Sequence, residues 1–346
     1  MVNKEFFDAL IHRTIDLNKF SGSFNNIVSK NIIDLENSIT SKLISEPWDV
    51  YTDRGTKLKN EKQFLDYIDP ALQKTFSNIE REYYEDSTII ANQENYFIHS
   101  LLSNVNADTK PPLLPLSIHE NIRQSSIAGK NFQYWLGNIR RGFKRELLNR
   151  IRGKFSLGTR AEDVVKFIKG DRQNGFTNGL FQKTSGKTQT LLRSGFLSST
   201  NEIRKQLYFD NAHFVKSIHW HSTLDGNSSG ICSHSDNSSW EIPSFRPEGD
   251  SNPYRGGLPH FNCRSTFVPI FKPDVTIQDS PRLSIREWIN ERSEPERRGI
   301  FGERKFSLFQ KAKITHPQLI NFRSTPISIN EMLRRYEYKG THLRSN

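Results

Sequence analysis

Apolar residues at helical spacing constrain this chain more than any other feature of its sequence. In "SFNNIVSKNIIDLENSITSKL" the side chains of Phe24, Ile27, Val28, Ile32, Leu35, Ile39 and Leu43 recur every three or four positions, and Lys30, Asp34, Glu36 and Lys42 fall opposite. A strand alternates every two residues and cannot keep that set on one side, so the stretch predicts an amphipathic helix packed on a core. Aromatic clusters further on, Tyr83 with Tyr84 and Tyr96 with Phe97, predict more buried helix to about Asn106. "NADTKPPLLPL" then breaks the pattern, because Pro111, Pro112 and Pro115 cannot occupy a helix interior. The expected division is a helical N-terminal region of unknown role at 1–110 and a second region at 111–210.

The second region is strongly basic. "FQYWLGNIRRGFKRELLNRIRGKF" sets Phe132, Trp135, Leu136, Ile139, Phe143, Leu147 and Ile151 on one helical face, with Arg140, Arg141, Lys144, Arg145 and Arg152 beside or opposite it. From Arg140 to Arg160 there are eight Lys or Arg residues against the single acid Glu146, and the whole chain carries a formal charge of +11. Such an excess attracts phosphate backbones or acidic surfaces. Double-stranded DNA and an acidic protein surface both fit, with Arg140, Arg141, Lys144, Arg145, Arg150, Arg152 and Lys154 as the candidate nucleic-acid contacts. Gly142 and Gly153 leave the continuity of this helix open. Capping boxes predict helix starts at Thr159 with Glu162, Ser199 with Glu202, Ser284 with Glu287 and Ser328 with Glu331, and residues 170–186 read as loop.

From residue 211 the character changes. Short β-type runs such as "HFVKSIHW" and "RSTFVPIF" are separated by Gly, Ser, Asn and Pro across 211–275, and a helical C-terminal tail is expected at 276–346. The predicted fold class is therefore α+β: mainly helical, with a small β or irregular Cys-His module near the C-terminal third. A chain of 346 residues can bury a core without staples, so its two cysteines read as thiols or metal ligands before they read as a disulfide. The longest apolar runs are far too short for a bilayer, and no membrane partner is expected in the folded state. "MVNKEFFDALIHRTIDLNKF" interrupts its apolar residues with charges and lacks the core of a secretory signal, which predicts a cytoplasmic site of action.

The chemistry-bearing residues gather in this module, in "SIHWHSTLDGNSSGICSHSDNSSW" and "LPHFNCRS". Cys232, His234, His260 and Cys263 could form a tetrahedral two-cysteine, two-histidine site, with zinc as the candidate cofactor. The Cys232-Ser233-His234 gap is tighter than in a zinc finger, so buried thiols without metal remain an alternative. His219 and His221 flank Trp220 on an expected strand and point to one face, with Asp225 four residues on. That cluster could in principle hold a metal-activated water for phosphodiester cleavage, which makes a metal-dependent nuclease or phosphoesterase the enzymatic alternative.

The run "VKSIHWHSTLDGNSSGICSHSDNSSWEI" followed by "RGGLPHFNCRSTFVPIF" resembles the Mu F-like family of phage minor head proteins, also called phage head morphogenesis proteins. The matching positions are Trp220, Ser222, Thr223, Asp225, Cys232, Pro259, His260, Cys263 and Arg264; the family's second cysteine of a Cys-x-x-Cys pair falls here on Ser235. The likeness extends from about Ile118 to Tyr336 and includes a Trp helix and a Phe301-Gly302 step with Lys305 in the tail. The resemblance implies a non-enzymatic virion protein near the portal vertex inside the capsid, made in the host cytoplasm. It implies contact with portal, scaffold or capsid interior, a role in head assembly, and binding to the packaged DNA or ejection with it. On this reading the Cys-His stretch is a structural knot in which Trp220 and Trp240 pack, Asp225 caps a turn and Arg264 pairs with Asp225.

Overall fold

A computed structural model of the chain describes residues 2–45, 48, 50–52, 56–58, 61–171, 173, 175–222, 229–254, 256–275, 279, 280 and 293–295. The architecture is α+β and mainly helical. The helices are α1 (Lys4–Phe20), α2 (Asn25–Ser45), α3 (Glu61–Val105), α4 (Pro115–Gln124), α5 (Phe132–Phe155), α6 (Ala161–Lys169), α7 (Leu180–Asp210) and α8 (Gly230–Ser235). The strands are β1 (Val2–Asn3), β2 (Val50–Thr52), β3 (Thr56–Leu58), β4 (Ser126–Ile127), β5 (Lys130–Asn131), β6 (Val215–His221), β7 (Ser239–Glu241), β8 (Pro247–Glu248), β9 (Thr266–Phe271) and β10 (Asp279–Ser280). Four of them form an antiparallel sheet in the order β8-β7-β6-β9.

The apolar stripe of α2 does what its spacing predicts: Val28, Ile32, Leu35, Ile39 and Leu43 are all buried. Helix α3 continues the same period through Phe64, Ile68, Leu72, Phe76, Ile79 and Tyr83. At 1.5 Å per residue it is about 68 Å long, tolerating Pro70 in its third turn. The 106–114 segment is a bend between α3 and α4, and both of those helices pack on α7. Helix α7 is the organising element, touching α2, α3, α4, α5 and α6 as well as β6 and β9.

A run of small residues makes that centrality possible. Ser194, Gly195, Ser198 and Ser199 are buried, and a Cβ added at Gly195 would lie 2.8 Å from the Tyr83 hydroxyl and 3.0 Å from the Phe132 ring. Tyr83 and Phe132 stack there with centroids 3.7 Å apart. The Tyr83 hydroxyl meets Ser199 Oγ at 3.2 Å, and burial pushes its pKa up to about 12.

Three helix boundaries differ from the sequence expectation. Ser199 is not a helix start: α7 runs unbroken through it, and its Oγ donates to the Gly195 carbonyl at 3.0 Å. A buried serine satisfied by its own helix carries the same residue pattern as a capping box. The expected loop at 170–186 ends at Gly179, which caps α7. Helix α6 is capped by Arg160 rather than Thr159 and has no side-chain cap. Helix α5 passes through Gly142 and Gly153 without a break, with Asn131 Oδ1 accepting from the Tyr134 N–H at 3.0 Å as its N-cap. The expected starts at Ser284 and Ser328, and the Phe301, Gly302 and Lys305 step, lie outside the described residues. Among the described residues, no helix is long and apolar enough to cross a membrane.

Candidate metal centre

Strand β6 is the spine of the Cys-His module. Its alternation separates two faces: Ile218 and Trp220 on one, His219 and His221 on the other. Pairing places Trp240 beside Ile218 and Phe267 beside Trp220, so one face is aromatic. Trp220 and Trp240 pack through Phe267, whose ring lies 4.9 Å and 6.2 Å from theirs. Tyr254 closes on Trp240 at 5.4 Å, and the Trp240 indole N–H donates to the Asn252 carbonyl at 2.7 Å.

The opposite face is equally closed. His219 is 4% exposed and lies 2.8 Å from Ser239 Oγ; His221 is 1% exposed and meets the edge of Phe7 from α1 at 5.2 Å. Their ring centroids are 6.4 Å apart. Asp225, the expected third member of that cluster, lies outside the described residues, as does the partner it would provide for the half-buried Arg264.

At the end of β6 the chain turns into α8, and this corner gathers the cysteines. Ser229 caps α8, its Oγ accepting from the Cys232 N–H at 3.1 Å. The Ser222 hydroxyl donates to the Cys232 carbonyl, and the Ser222 N–H donates to Asp236 Oδ1 at 2.9 Å. From the other side, the 256–265 segment is fastened to the helical body at three points. Leu258 exchanges backbone hydrogen bonds with Ser126 and Ala128 at 2.8 Å each. The Asn262 N–H donates to Ser194 Oγ on α7 at 2.8 Å, and Phe261 packs edge-on to Trp135 of α5 at 5.1 Å. Gly257, at φ +59°, makes the close approach to Ser126 that a Cβ would prevent.

These anchors bring Cys232, His260 and Cys263 together, with their ligand atoms all within 4.8 Å of one another. Cys232 Sγ is 3.3 Å from Cys263 Sγ and 3.0 Å from His260 Nε2, and the Ser265 hydroxyl donates to Cys232 Sγ at 3.2 Å. His260 Nδ1 donates to the Phe261 carbonyl at 2.7 Å, which fixes the ring and aims Nε2 at the sulfur. Both thiols are buried, and no disulfide joins them.

Without metal, the three groups shift one another's ionisation. The hydrogen bond from Cys263, helped by His260 and Ser265 and opposed by burial, lowers the Cys232 pKa to about 4. Burial opposes a charge on His260, but the Cys232 sulfur and the Phe261 carbonyl outweigh it and raise the imidazole above its ordinary value. Burial, then the neighbouring Cys232, pushes Cys263 well up. These directions favour the charged forms of Cys232 and His260 and the neutral thiol of Cys263, which can donate its S–H to Cys232.

The same three groups could hold a metal ion. Two thiolates and an imidazole around zinc stand about 3.8 Å (S···S) and 3.5 Å (S···N) apart, given the usual bond lengths. The observed 3.3 and 3.0 Å mean that the three atoms would open by about half an ångström. Ser229 Oγ, 2.6 Å from Nε2, would yield its place to the ion. His234, expected as the fourth ligand, lies on α8, and its side chain is outside the described residues.

A second buried cluster was not anticipated. Arg204 on α7 is 1% exposed and donates from Nε to Glu94 Oε1 at 2.5 Å, and Arg13 of α1 reaches Glu94 Oε2 at 3.0 Å. Arg204 Nη1 also donates to Thr14 and Thr266, and Thr266 donates to Asn201 Oδ1 at 2.8 Å. Asn201 in turn donates to the Ser265 carbonyl at 3.0 Å, two residues from Cys263. The signal in the sequence was a charge inside an apolar stripe: Glu94 among Ile90, Ala91 and Ile98, and Arg204 among Ile203 and Leu207.

The basic residues of α5 divide into two groups. Lys144 pairs with Asp69 at 2.7 Å, Arg152 with Glu61 at 2.9 Å, and Arg150 with Glu146 at 2.7 Å. Arg140 donates to Gln73, and Lys154 lies over the Phe167 ring at 4.4 Å. Arg141, bonded to Asn138 at 2.5 Å, and Arg145 are exposed.

Comparison of the chain with protein-family models, curated proteins and solved structures finds no match.

Proposed function

We propose that this chain is a virion structural protein of the phage minor head type, acting beside the portal during head assembly, with the Cys-His corner as a closed zinc clip. The observation that supports it is the convergence of Cys232, His260 and Cys263, the spaced residues that carry the likeness, into one buried corner. Cys232 and Cys263 are 3% and 1% exposed, which suits a structural site rather than one that keeps a coordination position open to substrate. In this reading Cys232 and Cys263 supply thiolates and His260 supplies Nε2. The ion ties α8 and the 256–265 segment to the end of the sheet. The surface so fixed meets portal, scaffold or capsid interior, and the chain passes through the host cytoplasm before reaching the virion.

The nuclease alternative rests on His219, His221 and Asp225, and burial of both imidazoles beneath Phe7 and Ser239 gives it little support. The experiment is to follow the tagged chain through purification of procapsids and mature heads from producing cells. Co-sedimentation with heads at a few copies per particle is expected. A chain that stays in the soluble fraction, while heads form normally without it, would overturn the proposal.

A further inference from the structure

The exposed side of α5 carries a shallow depression of about 270 Å³ lined by Arg141, Lys144, Arg145, Leu148, Asn149 and Arg152. These residues recur at steps of three and four, so they form one stripe along the helix. Four of the six are cations. Two of those are matched by carboxylates of α3: Lys144 by Asp69 and Arg152 by Glu61. Among the described residues, neither Arg141 nor Arg145 pairs with a carboxylate, and Arg141 donates to the neutral Asn138. Contacts with α3 thus hold the stripe at Lys144 and Arg152, and the exposed guanidinium groups of Arg141 and Arg145, one turn apart on either side of Lys144, stay available to an anion.

We infer that this stripe is a phosphate-contacting surface for duplex nucleic acid, with Arg141 and Arg145 as the contacting groups and Lys144 and Arg152 as groups that position the helix. The inference rests on α5's own side chains and is independent of the virion reading. Three observations favour this partner. From Arg141 to Arg145 the helix rises about 6 Å, which spans about two phosphates of one strand at 3.4 Å each. Guanidinium forks suit phosphate oxygens, and Asn149 adds a neutral donor for the same backbone. Leu148 is the one apolar lining residue. A single-strand site would interleave aromatic rings for base stacking, and a docked acidic protein would bring apolar anchors needing a pocket.

The test is fluorescence anisotropy of a labelled 30-base-pair duplex with the full-length chain, titrated between about 50 and 200 mM KCl. The comparison set is Arg141→Gln/Arg145→Gln, Arg150→Gln, the matching single strand, and poly-glutamate as competitor. The wild type should bind the duplex with a negative salt slope. The double variant should reduce the magnitude of that slope by about two, one for each lost phosphate contact, and Arg150→Gln should leave it unchanged. Because Arg141 and Arg145 are exposed, circular dichroism and melting of the double variant should match the wild type. An unchanged slope in the double variant overturns the inference, as does stronger binding to the single strand. Competition by poly-glutamate as effective as by duplex would mark the surface as a seat for an acidic protein instead.

Discussion

Two buried polar clusters hold the small sheet to the helices, and they work by different means. The Glu94–Arg204 ion pair is buried and roofed by threonines where α1, α3, α7 and β9 meet, with the partly exposed Arg13 as a second partner of Glu94. The Cys232–His260–Cys263 corner is a set of soft ligands at the open end of β6, on short segments with few apolar anchors of their own. Helix α7 serves both, through Arg204 and Asn201 to β9 and through Ser194 to the 256–265 segment. The difference teaches that a helical core can use a fixed charge pair where packing already excludes water. The corner at the end of β6 is held instead by hydrogen bonds among groups that could also hold an ion.

Breaking the two clusters should separate their roles. The largest effect is expected for Glu94→Ala, which strands the buried Arg204 guanidinium and should cost about 3–5 kcal/mol in denaturant unfolding. Replacing Glu94 and Arg204 together by methionine should recover most of that loss. If the double replacement were as damaging as the single one, the pair would be contributing more than mutual neutralisation. Next, Cys263→Ala removes the S–H donor to the Cys232 thiolate and should cost about 1.5–3 kcal/mol in the metal-free protein.

The third test is the pH dependence of the metal-free protein. Cys232 has a depressed folded-state pKa, so its contribution is full above the unfolded thiol's value, about 8.5, and is lost as pH falls towards its folded value of about 4. His260 has a raised pKa, so its contribution is full below about 6.5 and is lost as pH rises through its folded value. Stability should therefore climb from about pH 4 to 6.5 and then flatten, where the two linkages oppose each other. Cys232→Ser should abolish the climb; melting temperatures across this range decide. The smallest effect is expected at the exposed pair of Lys144 with Asp69, where Lys144→Ala should change stability by less than about 1 kcal/mol. A larger loss would mean that α5 is held by its charges rather than by Phe143, Leu147 and Ile151.

Much of this was legible before any coordinates. The helical period of α2, the break after Asn106 and the switch to short strands near residue 211 all follow from residue spacing, and each corresponds to an element of the fold. The convergence of Cys232, His260 and Cys263 was legible because cysteine is scarce here and each of its two copies has a histidine within three residues. The length of α7 was not, because Ser199 with Glu202 reads as a capping box, whereas Ser198, Ser199 and Thr200 are small, buried residues of a central helix. Nor was the Glu94–Arg204 pair, whose members are 110 residues apart and meet only through tertiary packing. The separation of α5's cations into paired and exposed groups likewise depended on where Glu61 and Asp69 of α3 fall in space.

The most direct test of the central claim, that the Cys-His corner is a structural metal clip, is elemental analysis combined with thiol titration of the purified full-length protein. One zinc per chain is predicted, with Cys232 and Cys263 shielded from a thiol reagent until a chelator is added. A metal-free protein whose two thiols titrate at once under native conditions would contradict the clip and leave the corner held by the hydrogen bonds among Cys232, His260, Cys263 and Ser265 alone.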